Sequence, residues 1–257
     1  MWSGRWVRAA ALALGGLGFG SLAQAAEEAL EPIRVSWPHH GIFGTYDRAA
    51  AQRGFQVYRE VCAACHGLSL VAFRNLQDIG FNEEQVRAIA AEYEVPGEPD
   101  DFGEPTTRPA LASDVFPPPY PNEAAARAAN QGALPPDLAL MTKAAEEGED
   151  YVYSLLRGYV EPPPDAVPPR EGLHFNAYFP GNWIAMPPPL FEGGITYADG
   201  TEASIPQMAH DVTVFLSWTA EPKLEERKQT GLKTMLFLIV LTGLLYATKR
   251  KIWADAH

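Results

Sequence analysis

Cys62-Ala63-Ala64-Cys65-His66 contains both cysteines of this 257-residue chain, three positions apart, with a histidine directly behind the second. The C-x-x-C-H spacing is the attachment signature of a c-type haem. On a helical turn both thiols point to one side, so each can add to one of two vinyl groups. His66 is then held under the iron, where a neutral imidazole nitrogen is a good axial ligand. Competing uses of the pair are weaker. A structural zinc site needs further cysteines or a histidine pair at ligand spacing, and no other cysteine exists. A redox dithiol follows a buried strand, and no apolar run precedes Cys62. A disulfide across two residues makes a tight, strained loop.

Working outward, the chain N-terminal to the motif reads as an address and then a helix. Arg5 and Arg8 give a positive start, residues 9–22 are apolar, and Ala23-Gln24-Ala25 is a small-x-small cleavage site, so residues 1–25 are expected to be a cleaved signal peptide. Their loss removes two cations and no acids, taking the net charge from −12 to −14. That acidity argues against nucleic acid and for a basic partner. Residues 26–46 read as an extended segment whose paired His39-His40 are expected to be solvated. Residues 48–62 read as one helix delivering the haem motif, with Phe55, Tyr58 and Val61 on the face that continues into the pocket.

Downstream, residues 83–104 hold eight carboxylates against Arg87 alone, either a solvated stretch or a steering surface for a cationic protein. Proline runs at 117–119, 135–136, 162–164, 168–169 and 187–189 mark stiff loops. Residues 122–130 and 149–159 read as short helices. Ser204-x-x-Gln207 is a capping box opening a helix with an apolar stripe at Met208, Val212, Phe215 and Trp218, placed to cross the first helix. Residues 231–248 are apolar apart from Lys233, and eighteen residues of helix rise about 27 Å against a hydrocarbon thickness of about 30 Å. Lys249-Arg250-Lys251 then puts the C-terminus in the cytoplasm by the positive-inside rule.

The expected fold is mostly α: a class I-like c-type cytochrome haem domain with long loops over residues 26–222, a linker at 223–230, a transmembrane helix at 231–248 and a tail at 249–257. The expected place is a bacterial inner membrane, spanned once, with the haem domain in the periplasm. An electron-transfer haem needs its sixth position filled. Met141, Met186, Met208 and the histidines 39, 40, 174 and 210 are candidates. Met208 and Met141 fall on expected helices, where packing explains them. Met186 stands in a loop stiffened by Pro187-Pro188-Pro189, where a thioether is the usual arrangement. A membrane-anchored gas binder or peroxidase with an open distal site is the alternative reading.

Arg53-Gly54-Phe55-Gln56-Val57-Tyr58-Arg59-Glu60-Val61-Cys62 resembles the cytochrome c1 family, the haem subunits of cytochrome bc1 complexes. So do Tyr120-Pro121-Asn122, Ala126-Arg127-Ala128-Ala129-Asn130-Gln131-Gly132-Ala133-Leu134-Pro135-Pro136-Asp137-Leu138, Asp150-Tyr151-Val152-Tyr153-Ser154-Leu155-Leu156, Phe175-Asn176-Ala177-Tyr178-Phe179-Pro180-Gly181, Ile184-Ala185-Met186 and Gly231-Leu232-Lys233. The resemblance implies one covalent haem c on Cys62 and Cys65, with His66 and Met186 as iron ligands and Arg127 beside a propionate. It also implies an electron carrier, not itself an enzyme, that sits with cytochrome b, accepts from a Rieske iron–sulfur protein and donates to a cytochrome c. Some bacterial members carry an extra disulfide. Two cysteines cannot supply one here, so loop rigidity must come from elsewhere.

Overall fold

The computed structural model describes residues 29–164 and 166–255; the expected signal segment lies outside them. Asp47 starts the first helix, α1 (Arg48–Val57), by accepting from the Ala50 amide at 3.1 Å. The single helix expected over 48–62 is not uniform. At Tyr58–Cys62 the winding loosens into a π turn, closed by the Ala63 amide donating to the Tyr58 carbonyl at 2.8 Å. Such turns are frequent at functional sites.

A 3₁₀ segment (Phe73–Ile79) leads to α2 (Glu83–Ala91), whose Asn82 and Gln85 exchange side-chain bonds with each other's amides, both at 2.8 Å. β1 (Glu94–Pro96) pairs antiparallel with β2 (Thr107–Pro109), Val95 opposite Arg108. The acidic stretch is therefore built on a helix and a hairpin, with all eight carboxylates exposed. Then come α3 (Glu123–Ala129), capped by Asn122, α4 (Met141–Ala144) and α5 (Gly148–Arg157). A second ribbon pairs β3 (His174–Phe175) with β4 (Trp183–Ile184), and α6 (Ile205–Ala220) and α7 (Leu224–Ile252) complete the chain.

α6 is the hub, touching α1, α4 and α5. Beyond its first turn it is buried nearly all round rather than along one stripe. Its buried hydroxyls therefore turn inward. Thr213 donates to the Ala209 carbonyl at 2.7 Å and Ser217 to the Thr213 carbonyl at 2.8 Å. The expected capping box is half formed. Ser204 accepts from the Gln207 amide at 3.3 Å, but the Gln207 side chain donates to Asp211 at 2.9 Å instead of turning back. Asp211 is wholly buried and needs those donors. Arg53 of α1 reaches it with Nε at 2.7 Å and a second nitrogen at 3.2 Å. The two helices also share an aromatic contact, Phe55 on Phe215 at 5.6 Å between ring centroids. They cross at Gly54, where a Cβ would lie 2.0 Å from the Asp211 carbonyl oxygen and 2.7 Å from Phe215 Cβ.

Two expectations are corrected. His39 is not solvated: it is 1% exposed, in contact with the Tyr46 ring, and its Nε2–H donates to Glu149 of α5 at 3.1 Å, while His40 is the exposed member. The extended segment runs along α5, where Trp37 Nε1–H and the Val35 amide both donate to Asp150, at 2.8 and 3.1 Å. That contact carries His39 inward. Residues 224–230 are not a linker but the first turns of the continuous α7, whose Leu224 is buried. Glu225 receives the Tyr46 amide at 2.9 Å and the Arg48 guanidinium at 2.9 Å. Among the described residues, α7 is the one helix long and apolar enough to cross a membrane.

Two outcomes follow from this packing. Gly54→Ala is expected to destabilise the domain by about 3 kcal/mol, the upper end for overpacking, because backbone rather than a flexible side chain blocks the new methyl. Thermal melts of the purified protein measure it. The second concerns the His39 latch. Burial alone would raise the Glu149 carboxyl, but the bond from His39, a backbone amide and the neighbouring imidazole charge outweigh it and hold it at about 2, below its ordinary 4.5. A lowered folded-state pKa gives stability that is complete above about 4.5 and lost as pH falls towards 2. Glu149→Gln should flatten that part of the acid-unfolding curve, and an unchanged curve would show that the latch does not titrate there.

Candidate haem-binding site

The π turn ends where the motif begins, and the next bonds tighten the chain. The Cys65 and His66 amides both donate to the Cys62 carbonyl, at 3.1 and 2.9 Å. The Tyr58 hydroxyl, one turn earlier, donates to the His66 carbonyl at 3.1 Å. Both cysteines are free thiols and half-buried. Burial, with Cys65 adding to it, pushes the Cys62 thiol up to about 12, so it stays protonated at neutral pH. The Tyr120 hydroxyl approaches Cys65 Sγ at 3.8 Å and is itself fixed by the Asn130 side-chain amide at 3.1 Å.

His66 Nδ1 lies 2.8 Å from the Pro136 carbonyl oxygen. A carbonyl can only accept, so Nδ1 carries the proton and the lone pair sits on Nε2, the tautomer a metal needs. Burial outweighs the Pro136 bond and lowers the pKa of His66, keeping it neutral at physiological pH. The Pro136 loop is stapled behind the motif. Asp137 accepts from the Ser69 amide at 2.8 Å and the Ala139 amide at 2.9 Å, and the Leu138 amide donates to the Gly67 carbonyl at 2.9 Å. Two thiols free of any disulfide beside a histidine of fixed tautomer are the donor set that a covalently held haem requires, so the residues present fit one.

The segment holding Met186 is built just as firmly. It follows β4, and the turn from β3 is closed by Asn182 at φ 62° with its amide donating to the Phe179 carbonyl at 2.7 Å. Asn176 is wholly buried and donates its side-chain amide to the last turn of α5, at the Leu155 carbonyl, 2.8 Å away. The Tyr159 hydroxyl donates to the Met186 carbonyl at 3.0 Å. A cleft of about 260 Å³ is lined by Glu60 and Val61 from the turn before Cys62, by Pro189 and Leu190 after Met186, and by Met208 of α6. The chain leaving Met186 thus faces the chain entering the motif.

The remaining candidates fall into place by burial. Met208 is 1% exposed within the core, and Met141 is half-buried at the edge of that core. His210 stacks on Trp37 with ring centroids 5.2 Å apart. Arg127 is exposed, donating to the Gly132 carbonyl at 3.2 Å within the loop that leads to Pro136. Sequence reasoning missed Pro136, Asp137, Tyr120, Asn130, Tyr159 and Asn176 as supports. A carbonyl partner leaves no residue-type signal; Asp137, Tyr159 and Asn176 serve through bonds to distant backbone, and Tyr120 reaches a sulfur 55 positions away with Asn130 behind it.

The model of the Cytochrome C1 family matches residues 37–256. The chain is similar to cytochrome c1 of Rhodospirillum rubrum, 48% identical over 254 residues, covering 93% of each. It is 50% identical over 229 residues to the "Cytochrome b-c1 complex catalytic subunit, mitochondrial" of Candida albicans, covering 89% of this chain and 80% of that protein. It is also 47% identical over 274 residues to "Cytochrome b/c1" of Bradyrhizobium diazoefficiens, where it covers 98% of itself but spans only 40% of that protein.

The stapled loop gives a direct test. Asp137→Ala frees the Ser69 and Ala139 amides and lets the Pro136 carbonyl swing from His66. Losing that acceptor makes the imidazole less basic, so the haem potential is expected to rise, by up to about 60 mV, a tenfold change for one electron. Redox titration with haem retained reads this; an unmoved potential would show that the loop holds its carbonyl without Asp137.

Proposed function

The chain belongs to the cytochrome c1 family, and from that premise we propose that it is the electron-carrying haem subunit of a quinol–cytochrome c oxidoreductase, assembled with cytochrome b. It would take electrons from a Rieske iron–sulfur protein and pass them to a basic cytochrome c. The observation that carries the reading is the His66–Pro136 bond within the C-x-x-C-H turn. It places the imidazole proton on Nδ1 and leaves the Nε2 lone pair open to a metal.

Cys62 and Cys65 would hold one haem c through thioethers, each thiol giving its sulfur to one vinyl carbon and its hydrogen to the neighbouring carbon. The bound group supplies a one-electron iron couple. His66 would ligate through Nε2, and Met186 would present its thioether from a segment pinned by Tyr159 and the prolines. A thioether favours reduced iron and raises the potential relative to a second imidazole. Arg127 would offset propionate charge from its loop. No residue is asked to make or break a substrate bond, so the chain acts as a carrier within the complex. The exposed carboxylates of α2 and the β1–β2 hairpin suit a basic acceptor, since a charged surface raises the rate of encounter more than it deepens affinity. α7 would cross the membrane with Lys249, Arg250 and Lys251 in the cytoplasm and the haem domain in the periplasm.

Met186→Leu tests the ligand assignment and the function together. The haem is expected to stay covalently attached, the potential to fall sharply, and the reduced iron to bind carbon monoxide, which the parent should not. A variant with the parent's potential and spectrum would remove Met186 as ligand. Carbon monoxide binding by the parent itself would favour the gas-binding alternative.

A further inference from the structure

Residues 39–44 make a tight turn, with the Thr45 amide donating to the Pro38 carbonyl at 3.2 Å and Gly41 at φ 74°. The turn is held against the start of α7: Lys228 Nζ donates to the His39 carbonyl at 2.6 Å and to the Gly44 carbonyl at 3.1 Å. At its tip stand two neighbouring large apolar side chains, Ile42, 69% exposed, and Phe43, 79% exposed. Single exposed hydrophobics are ordinary on a protein surface. This pair is distinguished by where it is held. From Lys228 to Gly231, where the apolar stretch of α7 begins, is three residues, a rise of about 4.5 Å. The polar layer on each face of a bilayer is about 5–7 Å deep. A turn fastened at Lys228 therefore lies at the depth of the headgroups. From Gly41 to Gly44 it carries no charge, while neighbouring charges on α7 have partners of their own: Lys223 with Glu226 at 2.8 Å, and Arg227 with Glu221.

We propose that the turn is a second membrane contact: Ile42 and Phe43 enter the lipid interface beside α7 and fix the tilt of the haem domain over the bilayer. The occupant is lipid, because the turn is continuous with the lipid-facing start of α7, its tip is apolar and aromatic, and aromatic side chains favour that layer. The inference rests on α7 spanning the membrane, and the experiment separates the two.

Full-length, haem-loaded protein is reconstituted in vesicles of phosphatidylcholine brominated at a shallow or a deep acyl position. Three single variants, Phe43→Trp, Met235→Trp and Phe102→Trp, are compared with the parent. Met235 lies in the span, and Phe102, 91% exposed among the carboxylates of the acidic stretch, reports on water. The emission added at position 43 should be blue-shifted and largely lost with the shallow bromines, less so with the deep ones, while that at 102 is unaffected. Met235→Trp should be quenched whatever the turn does; if it is not, the spanning reading of α7 fails first. If position 235 is quenched and 43 is not, while aqueous acrylamide reaches 43, the turn is solvated and the proposal falls. If 43 is shielded from both quenchers in the assembled complex, a protein surface covers it and the proposal falls equally. Quenching at 102 to the same degree as at 43 would show non-specific adsorption and overturn it too.

Discussion

The crossing of α1 over α6 is so close that at Gly54 a side chain would meet backbone at 2.0 Å. That approach fixes more than two helices. It presses Arg53 onto a carboxylate with no access to water, and such a charge is tolerable only when its partners are complete. Asp211 has Arg53 and Gln207, with His210 at 3.3 Å. With α1 locked on one side, its C-terminal end cannot drift, and the π turn that follows sets the direction in which Cys62, Cys65 and His66 leave it. The same α6 carries Met208 into the cleft that faces the Met186 segment. The segment entering the motif and the segment leaving Met186 are thus both held against one helix.

Much of this was legible because it is written in local patterns. A pentapeptide marks the turn at Cys62–His66, Ser204 and Pro206 mark the start of α6, and the uncharged run after Lys233 marks α7 as long and apolar enough to span. What was illegible depends on pairs distant in sequence. His39 looks like a loop histidine beside His40, and only Glu149, 110 positions away, makes it a buried donor. Residues 224–230 look like a charged linker. Their charges in fact bond to Tyr46, Arg48, His39 and Gly44, which lets the helix run on unbroken. Gln207 has the spacing of a capping-box partner, but its side chain turns to donate to the buried Asp211 carboxylate, a charge-assisted bond, instead of accepting from the Ser204 amide.

The unbroken α7 changes how the domain and the membrane segment are related. A flexible tether of a few residues would let the domain tumble over the bilayer. A helix whose first turns are bonded into the domain transmits its own tilt to everything above it. The Arg48–Glu225 ion pair is partly exposed and such pairs contribute about 1 kcal/mol or less, and the Lys228 bonds to backbone carbonyls are part-buried and also modest. Their effect is therefore geometric more than energetic: several weak bonds on two turns of one rigid element define an orientation that no single strong bond could.

Rigidity around Met186 is reached without a disulfide, and the physical means can be read from the bonds. A typical disulfide stabilises by about 2–4 kcal/mol, largely by restricting the unfolded chain. Asn176 alone donates to Leu155, accepts the Tyr178 amide at 3.0 Å, and through its own backbone joins Asn182 at 2.8 Å. Tyr159 adds a bond to Met186 itself. Four bonds at about 1 kcal/mol net each reach the same range. Gly158 completes the arrangement, because a Cβ there would lie 2.3 Å from the Asn176 side-chain oxygen and drive the turn from α5. Pro187, Pro188 and Pro189 act on the other state, restricting the unfolded chain as a cross-link would. Hydrogen bonds order the approach to Met186 and prolines order the exit, so its side chain leaves a segment stiff on both sides.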